Sequence, residues 1–391
     1  MTLKEELEIL RGDPIEVFTG DPMDIPCIET SDPEKLCKHP VVSVRMITYN
    51  HEPYIRQAIE GVMMQKTDFE FELVIGEDCS QDKTREICFE YQKKYPDKIR
   101  VLWWHENVSK LGGNGRRCAA RCRGEFVALC EGDDYWIDPL KLQKQVDVMR
   151  KHPNVGLCFS AANFVNYKGE FLGLRDYDNV YPRGVISGQM FNVLHMFGSN
   201  PVHLIGNEGF IMTASVLFRR RALEEASKKF EISSWKLACG DKILFHRVAA
   251  VSDVYFLPEV MTAYRKNPTG AMATNNARVR RDVAVTRMYF AHTLFDMRLH
   301  DLPRWQISLL FQFVLRVLSG ECFLSRFKKV FCMFNVSSFL GVVFRNAYYP
   351  LWLVICVIWM PLGLKYKCFG WLFAHTIATC PVSRRLGRLY V

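Results

Sequence analysis

Residues 126–139 read Phe-Val-Ala-Leu-Cys-Glu-Gly-Asp-Asp-Tyr-Trp-Ile-Asp-Pro. The first five are apolar and predict a short buried strand, and three carboxylates, Glu131, Asp133 and Asp134, follow directly. Acids at the end of a strand face the crevice where open α/β sheets bind ligands. Three neighbouring carboxylates cannot all stay ionised without a compensating cation. The stretch therefore predicts a site for Mg²⁺ or Mn²⁺, the hard ions that carry the phosphates of a ligand.

Composition is that of a folded protein. The chain has 391 residues, of which 49% are hydrophobic and 24% are charged, enough for one large domain or two smaller ones. The first ten residues lack the apolar core of a signal peptide. The fourteen cysteines are scattered and form no Cys-x-x-Cys pair, which disfavours structural zinc and favours reduced thiols. We therefore expect a cytoplasmic protein.

Basic charge is concentrated at the C-terminal end of the chain. Residues 302–391 contain eleven Lys or Arg and a single acid, Glu321, so their excess of +10 exceeds the +9 of the whole chain. Such asymmetry indicates a polyanionic surface, either nucleic acid or membrane. Residues 346–364 form a run of nineteen without a charge, interrupted by Pro350 and Pro361. The run meets the length criterion for a membrane span.

Three arrangements of this uncharged run stay open: a span, a helix packed against protein, or a helix lying in the cytoplasmic leaflet. Basic residues flank both of its ends, whereas a single span normally has them mainly on the cytoplasmic side. A basic segment combined with an inserted apolar face is the two-signal anchoring of peripheral proteins. We therefore favour the leaflet, with residues 302–391 on the anionic inner face of the cell membrane and no nucleic acid as partner.

Strand and helix patterns alternate along the central part of the chain. After a weakly periodic arm over residues 1–39, which has one short helix near its start, strands are predicted at residues 41–48, 69–75, 99–104 and 125–130. Helical periodicity separates them, which predicts an α/β fold with a doubly wound, mainly parallel sheet. Further strands are expected at residues 155–164, 211–218 and 254–257. We assign residues 40–277 to this domain and residues 278–391 to a helical, membrane-associating extension.

Polar side chains end three of these strands. The first strand leads into Thr48-Tyr49-Asn50, the second into Glu77-Asp78, and the fourth into the acidic stretch. The carboxyl ends of parallel strands lie along one edge of a sheet, so we expect these residues to converge. An aromatic ring beside an acid suits a nucleobase, since the ring stacks and the carboxylate accepts an N–H.

These motifs resemble those of glycosyltransferase family 2, whose members are inverting enzymes of the GT-A fold that use nucleotide-sugar donors. The resemblance rests on Val-Ser-Val-Arg-Met-Ile-Thr-Tyr-Asn (42–50), Glu-Asp-Cys-Ser-Gln-Asp-Lys-Thr (77–84) and Glu-Gly-Asp-Asp-Tyr-Trp (131–136), in that order and spacing. Residues 130–146 are especially similar to bacterial members that build surface polysaccharides. The resemblance covers about residues 41–267.

The resemblance implies a role for each matching residue in donor binding. Thr48, Tyr49 and Asn50 resemble the floor of the nucleoside pocket, and Asp78 matches the acid that reads the base, which favours a UDP-sugar. The alternative for Asp78 is an acid that caps a turn or helix. The family's acidic motif is usually Asp-x-Asp, and Glu131 replaces its first acid here. The metal is therefore assigned to Asp133, while Glu131 and Asp134 would orient ribose, water or sugar.

Two later segments complete the resemblance. Ala-Cys-Gly-Asp-Lys (238–242) resembles the family's second acidic motif, so Asp241 is the predicted base that takes the proton of the acceptor hydroxyl; a helix N-cap is its alternative. Tyr-Arg-Lys-Asn (264–267) resembles the Tyr-Arg-x-His segment, and Arg265 would counter the charge of the donor diphosphate. The usual histidine is Asn267, so no role is assigned there.

Together these features predict a metal-dependent glycosyltransferase that moves a sugar to a saccharide or lipid-linked acceptor in surface polysaccharide synthesis. A metal-dependent nucleotidyltransferase is one alternative, but the first strand is not followed by the glycine-rich loop expected for it. No Gly-x-Gly-x-x-Gly follows any strand, which disfavours a dinucleotide-dependent oxidoreductase. A non-enzymatic membrane adaptor that uses the basic tail is the other alternative, and it leaves the acidic motifs without a purpose. An acidic turn that caps the helix after Asp138-Pro139 remains the local alternative for the acidic stretch.

Overall fold

The computed structural model describes residues 2–295 except 112, 176, 179, 198–210, 239 and 268–276. In this part of the chain one sheet of eleven strands is covered by helices on both faces. The strands are β1 (Ile28–Thr30), β2 (Val42–Thr48), β3 (Phe71–Glu77), β4 (Ile99–Trp103), β5 (Phe126–Leu129), β6 (Tyr135–Trp136), β7 (Val155–Asn166), β8 (Phe171–Arg175), β9 (Gly184–Ile186), β10 (Leu217–Arg219) and β11 (Asp253–Lys266). The helices are α1 (Leu3–Arg11), α2 (Ile55–Met63), α3 (Thr84–Lys94), α4 (Asn114–Arg121), α5 (Lys141–Lys151), α6 (Gly188–Phe197), α7 (Arg220–Lys229), α8 (Gly240–Ala249) and α9 (Ala277–Phe295).

The sheet is mixed rather than mainly parallel, which corrects part of the fold prediction. Its order is β1-β4-β3-β2-β5-β10-β7-β11-β6, with β8 beside β7 and β9 beside β11. Pairs β4–β3, β3–β2, β2–β5 and β7–β11 are parallel, and the other pairs among the described strands are antiparallel. Parallel neighbours need a long crossover connection. Three of the four parallel pairs lie among β2, β3, β4 and β5, so the first half of the domain follows the predicted pattern; the fourth pair, β7–β11, lies in the second half.

Apolar side chains fill the space on both faces of the sheet. One core joins the sheet to α2, α3 and α5, and the other joins it to α4, α6, α7 and α8. Strands β3 and β5 are buried along their whole length, which explains why their sequences are continuous apolar runs rather than alternating ones. The α/β class and the helices that the periodicity predicts are thus confirmed.

Residues 1–39 belong to the sheet-containing domain and are not a separate arm. The predicted helix is α1, which has a capping box between Thr2 and Glu5. Downstream of it, β1 pairs antiparallel with β4 and covers the edge of the sheet. The weak periodicity of the segment did not reveal β1, because a strand of three residues has too few positions to show alternation.

Helix α1 is held by a buried ion pair across the domain. The Nε atom of Arg11 lies 2.7 Å from Oδ1 of Asp282, and both side chains are almost inaccessible to solvent. Asp282 also accepts the backbone N–H of Ala238 at 2.8 Å. Breaking such a pair from one side leaves a buried charge uncompensated.

Arg11→Met is therefore expected to lower the free energy of unfolding by about 3–5 kcal/mol. Urea-induced unfolding followed by circular dichroism measures the change. The control is Lys4→Met, because Lys4 forms a more exposed pair with Glu8, which contributes about 0–1 kcal/mol. Equal stability of the two variants would contradict a role for Arg11 in holding α1.

The chain divides after Tyr289 into two units, and the sheet with its covering helices belongs to the first. The predicted boundary at residue 277 lies at the start of α9, and the first unit extends beyond it to Tyr289. The predictions for the tail, including the uncharged run at residues 346–364, concern residues that lie outside the described part of the chain. Within the described residues, no helix has the length and apolar character needed to cross a bilayer.

Candidate functional site

The carboxyl ends of β2, β3 and β5 form the edge on which the predicted site residues lie. Thr48 at the end of β2 pairs in register with Glu77 at the end of β3. On the other side of β2, Arg45 pairs with Leu129 at the end of β5. The acidic stretch therefore begins beside the end of β2, as the motif order predicts.

The loops after β2 and β3 are joined by hydrogen bonds. The backbone N–H of Asn50 donates to Oγ of Ser80 at 3.0 Å, and Oδ1 of Asn50 accepts the N–H of Gln81 at 2.8 Å. Asn50 has φ 53°, in the left-handed region that asparagine tolerates. Beside it, the side chain of Tyr49 is 43% exposed. The loop thus presents an aromatic ring at the sheet edge on a backbone that is held in place.

Asp78 is almost fully buried and holds the next loop. Its two carboxylate oxygens accept the backbone N–H groups of Val108 and Ser109, at 2.8 and 3.0 Å. These residues open the 3-10 turn Val108–Leu111. Asp78 therefore caps a turn, and its carboxylate already accepts two hydrogen bonds from the protein. The contact of Asp78 with a nucleobase stays a prediction.

The acidic loop is held tightly against β2. The N–H of Cys130 donates to the carbonyl of Arg45, and the N–H of Gly132 donates to that of Ile47 at 3.0 Å. A Cβ atom on Gly132 would lie 2.5 Å from Oγ1 of Thr48. Only glycine fits this close approach, which brings the loop to the floor of the predicted nucleoside pocket.

Arg265 clamps the acidic loop from β11. Its backbone N–H donates to Oδ1 of Asp134 at 2.8 Å, and its Nε donates to the carbonyl of Asp133 at 2.9 Å. The guanidinium also donates to Gln57 and lies over the ring of Tyr54, 4.7 Å from its centroid. The Arg265 side chain is therefore buried and engaged with protein groups. Its predicted contact with a diphosphate stays a prediction, while its contact with the loop is direct.

The three acids of the acidic loop and Asp241, which lies far from them in the sequence, interact electrostatically. Burial raises the pKa of Glu131 to about 7, with a further increase from Asp133 and Asp241 that Arg45 opposes. The pKa of Asp134 is well above its usual range because of burial and of Asp133. Burial likewise raises the pKa of Asp241. The sheet edge is therefore a region where negative charge is costly and a cation would be stabilised.

The same four acids also affect the pKa of Tyr264. Burial raises the pKa of its phenol, and the negative charges of four acids raise it further; these are Asp134, Asp133, Asp241 and Glu131. Asp241 is on the first turn of α8, more than a hundred residues after the acidic loop. The predicted base and the predicted metal acid thus both act electrostatically on the phenol of Tyr264.

The acidic loop fits a divalent cation that is shared with a phosphate ligand. The side chain of Asp133 is 22% exposed, and Oε2 of Glu131 is buried without a hydrogen-bond partner. Among the described residues, no group of three or more His, Cys, Asp or Glu is arranged as a metal site. Mg²⁺ is typically held by one or two carboxylates together with substrate phosphates, which matches this donor set.

Sequence reasoning missed residues that the structure places at the site. Nδ1 of His51 lies 3.2 Å from Oγ1 of Thr48, and its Nε2 lies 3.9 Å from Oδ2 of Asp133. The sequence contained no ligand spacing for His51, so no signal pointed to it. The charge of Arg45 also acts on Glu131, and a charged residue inside the apolar strand β2 was the available signal for it.

Comparison with known proteins identifies the domain. Residues 43–226 match the family model described as glycosyl transferase family 2. An uncharacterised protein of Mycobacterium tuberculosis is 32% identical over 230 residues, which are 59% of this chain and 60% of that protein. TuaG of Bacillus subtilis (strain 168), named for teichuronic acid biosynthesis, is 34% identical over 110 residues, 28% of this chain and 42% of TuaG. The match over residues 43–226 confirms the resemblance to glycosyltransferase family 2 for that part of the chain.

A solved structure is also similar. S. aureus TarS in complex with UDP-GlcNAc shows 17% sequence identity and a TM-score of 0.45, covering 79% of this chain and 93% of that chain. The first curated relatives are matched over about 60% of their own length.

Proposed function

We propose that this protein is an inverting glycosyltransferase that moves a sugar from a UDP-sugar to a saccharide or lipid-linked acceptor. The observation that carries the proposal is the convergence of four carboxylates around Tyr264, at the edge of a family 2 domain. Three of them form the acidic loop, and Asp241 approaches from α8. Transfer of this kind needs acids that hold the donor metal and a separate base on the acceptor side, and the loop acids and Asp241 would fill these two roles.

The donor side is formed by the loops after β2, β3 and β5. The exposed ring of Tyr49 offers a stacking surface for the base, and Thr48, Asn50 and Asp78 position the loops around it. Mn²⁺ or Mg²⁺, when bound, neutralises the diphosphate and stabilises it as a leaving group. Asp133 would hold that ion, and the buried oxygen of Glu131 and the clamped carboxylate of Asp134 would orient water or sugar hydroxyls.

Transfer is a single displacement at the anomeric carbon. The acceptor hydroxyl attacks that carbon, the bond to the donor phosphate breaks, and the nucleoside diphosphate leaves with the electron pair. Asp241 takes the hydroxyl proton as the new glycosidic bond forms. Burial raises the pKa of Asp241, which makes its carboxylate a stronger base than an exposed aspartate.

Arg265 contributes by positioning the acidic loop. Its Nε donates to the carbonyl of Asp133 and its backbone N–H donates to Asp134, so it sets where the carboxylates point. With the diphosphate bound near this loop, the same cation would add a favourable electrostatic field for the charge that develops on the leaving group.

The cellular setting is part of the proposal. The basic tail at residues 302–391 would hold the protein on the cytoplasmic inner face of the cell membrane, because Lys and Arg near an anionic leaflet contribute about 1 kcal/mol each. The similarity to TuaG, named for teichuronic acid biosynthesis, supports a role in surface polysaccharide synthesis.

Calorimetric titration of UDP, GDP and CMP into the full-length protein, with and without Mn²⁺, tests the proposal. We expect UDP to bind only when the metal is present. Binding of GDP in its place would change the donor class but keep the glycosyltransferase. A folded protein that binds none of the nucleotides would contradict the donor site and favour a membrane adaptor that acts through its tail.

A further inference from the structure

The imidazole of His51 lies between the end of β2 and the acidic loop. Its Nδ1 atom is 3.2 Å from Oγ1 of Thr48, and its Nε2 atom is 3.9 Å from Oδ2 of Asp133. The two ring nitrogens therefore face two different parts of the site. Nε2 lies beside the carboxylate to which the metal is assigned, and no motif of the sequence gave His51 a role.

Hydrogen bonds fix the backbone of His51. Its N–H donates to Oγ1 of Thr84 at 2.8 Å, and its carbonyl accepts the N–H groups of Tyr54 and Ile55 at 2.8 and 2.9 Å. The acidic loop is close to the ring, because a Cβ atom added to Gly132 would lie 2.8 Å from Nδ1 of His51. The imidazole is therefore held in position by protein groups, as a preorganised ligand must be.

The contact with Thr48 leaves Nε2 available as a ligand. A neutral imidazole has one N–H and one unprotonated nitrogen. When Nδ1–H donates to the hydroxyl of Thr48, the lone pair is on Nε2, the atom beside Asp133. Histidines that bind metals usually donate their other ring N–H to an acceptor, which fixes the tautomer and the orientation of the ring. His51 has this arrangement.

The distance between Nε2 and Asp133 fits two ligands of one ion better than a direct hydrogen bond. Hydrogen bonds from nitrogen to oxygen are about 2.7–3.2 Å long. Two ligands that each lie about 2.0–2.2 Å from one ion can be up to about 4 Å apart. Within the part of the chain that the structure describes, Nε2 is the only basic nitrogen within ion-pair distance of this carboxylate. Both side chains are partly exposed, so an ion can reach them.

We propose that Nε2 of His51 is a second protein ligand of the donor metal, beside the carboxylate of Asp133. This inference rests on the proposed function, which places the ion at Asp133 and shares it with the diphosphate. Phosphate oxygens and water would complete the coordination. A nitrogen ligand also changes which ion is favoured, because Mg²⁺ prefers oxygen and affinity for nitrogen rises from Mn²⁺ to Co²⁺. His51 is therefore expected to favour Mn²⁺ and Co²⁺ over Mg²⁺.

Pulsed electron paramagnetic resonance of Mn²⁺ bound to the full-length protein with UDP tests the coordination directly. The spin-echo modulation of the wild type is expected to contain the coupling of the ion to a bound nitrogen nucleus. The coupling is expected to be lost in His51→Asn and kept in His152→Asn. A wild type that binds Mn²⁺ and UDP without this coupling would overturn the proposal, and this readout does not depend on the folding of any variant.

His152 is the matched control because it lies at the opposite edge of the sheet. It follows α5 and precedes β7, and its ring packs against that of Tyr255 at 5.4 Å between centroids. Strand β7 runs in the same direction as β5, because both are antiparallel to β10. The start of β7 therefore lies away from the carboxyl edge that bears the acidic loop.

A pair of variants separates metal binding from the contact with Thr48. Asparagine places its amide near the position of Nδ1, whereas glutamine reaches the position of Nε2 with an amide oxygen. His51→Asn is expected to weaken Mn²⁺ binding in the presence of UDP by about tenfold or more, since residues that only support a metal ligand already contribute about 10–100-fold. His51→Gln is expected to recover part of this affinity and to lose the preference for Co²⁺ over Mg²⁺. Wild-type affinity in His51→Asn together with a loss in His51→Gln would overturn the proposal, because only the contact with Thr48 would then matter.

Mn²⁺ without nucleotide distinguishes this inference from the proposed function. If the wild type binds no nucleotide but binds Mn²⁺ with a nitrogen coupling that His51→Asn loses, the metal site stands and the glycosyltransferase proposal falls. If UDP binds with Mn²⁺ and the coupling is absent, the proposed function stands and the role of His51 falls.

Discussion

Asp241→Asn is expected to lower the rate of sugar transfer by about 10²–10⁴-fold while leaving nucleotide affinity within about twofold of the wild type. The amide cannot take the proton of the acceptor hydroxyl. It can still accept the N–H of Lys242, which Oδ1 of Asp241 accepts at 2.8 Å, so the start of α8 should be preserved. The rate is measured as release of nucleoside diphosphate in the presence of the acceptor that the wild type uses, and affinity by calorimetry.

The pH dependence of the wild type gives a second readout of the same role. Burial raises the pKa of Asp241, so the base becomes protonated at a higher pH than an exposed aspartate does. The kcat/KM of the wild type is therefore expected to fall as the pH drops through this raised value. Loss of this acid limb in Asp241→Asn would support the assignment. If Asp241→Asn weakens nucleotide binding as much as Asp133→Asn does, the base has been misassigned.

Asp133→Asn is expected to weaken Mn²⁺-dependent UDP binding by about a hundredfold or more, since even residues that only support a metal ligand contribute about 10–100-fold. An amide oxygen is a neutral and weaker ligand than a carboxylate. The loop itself should keep its shape, because Arg265 holds it through the carbonyl of Asp133 rather than the side chain. Calorimetric titration of UDP at several Mn²⁺ concentrations measures the effect.

Asp68→Asn is the matched control for Asp133→Asn. Its side chain is 68% exposed and lies 3.8 Å from Arg150, and it precedes the start of β3, whereas the site lies at the carboxyl end of that strand. It is expected to bind UDP and Mn²⁺ as the wild type does. If Asp133→Asn binds the nucleotide with unchanged metal dependence, the ion is held by other groups, and Glu131 becomes the first candidate.

Local patterns in the sequence predict the first half of the domain well. The apolar runs before Thr48, Glu77 and Glu131 are the strands β2, β3 and β5, and their ends meet because parallel strands share a carboxyl edge. Each of these signals is contained in about ten neighbouring residues. A buried strand must be apolar wherever it lies in the sheet, so such signals survive the packing of the chain.

The second half of the sheet was harder to predict. The apolar stretch at residues 211–218 was expected to be one strand, but it contains a 3-10 turn at Thr213–Ser215, and β10 begins only at Leu217. Strand β10 fits antiparallel between β5 and β7. Whether β10 runs parallel or antiparallel to its neighbours depends on which strands leave a free edge. Residues near β10 in the sequence do not contain that information.

The sequence alone indicated the family resemblance and predicted the acidic loop and the candidate base, because these depend on residue types at short spacing. The tertiary structure decided how the side chains are used. It buried Asp78 against the turn Val108–Leu111, turned Arg265 into the clamp of the acidic loop, and left the Nε atoms of Arg45 and Arg247 without a hydrogen-bond partner. Whether a buried charge is paired depends on groups that lie far away in the chain, and only packing brings those groups together.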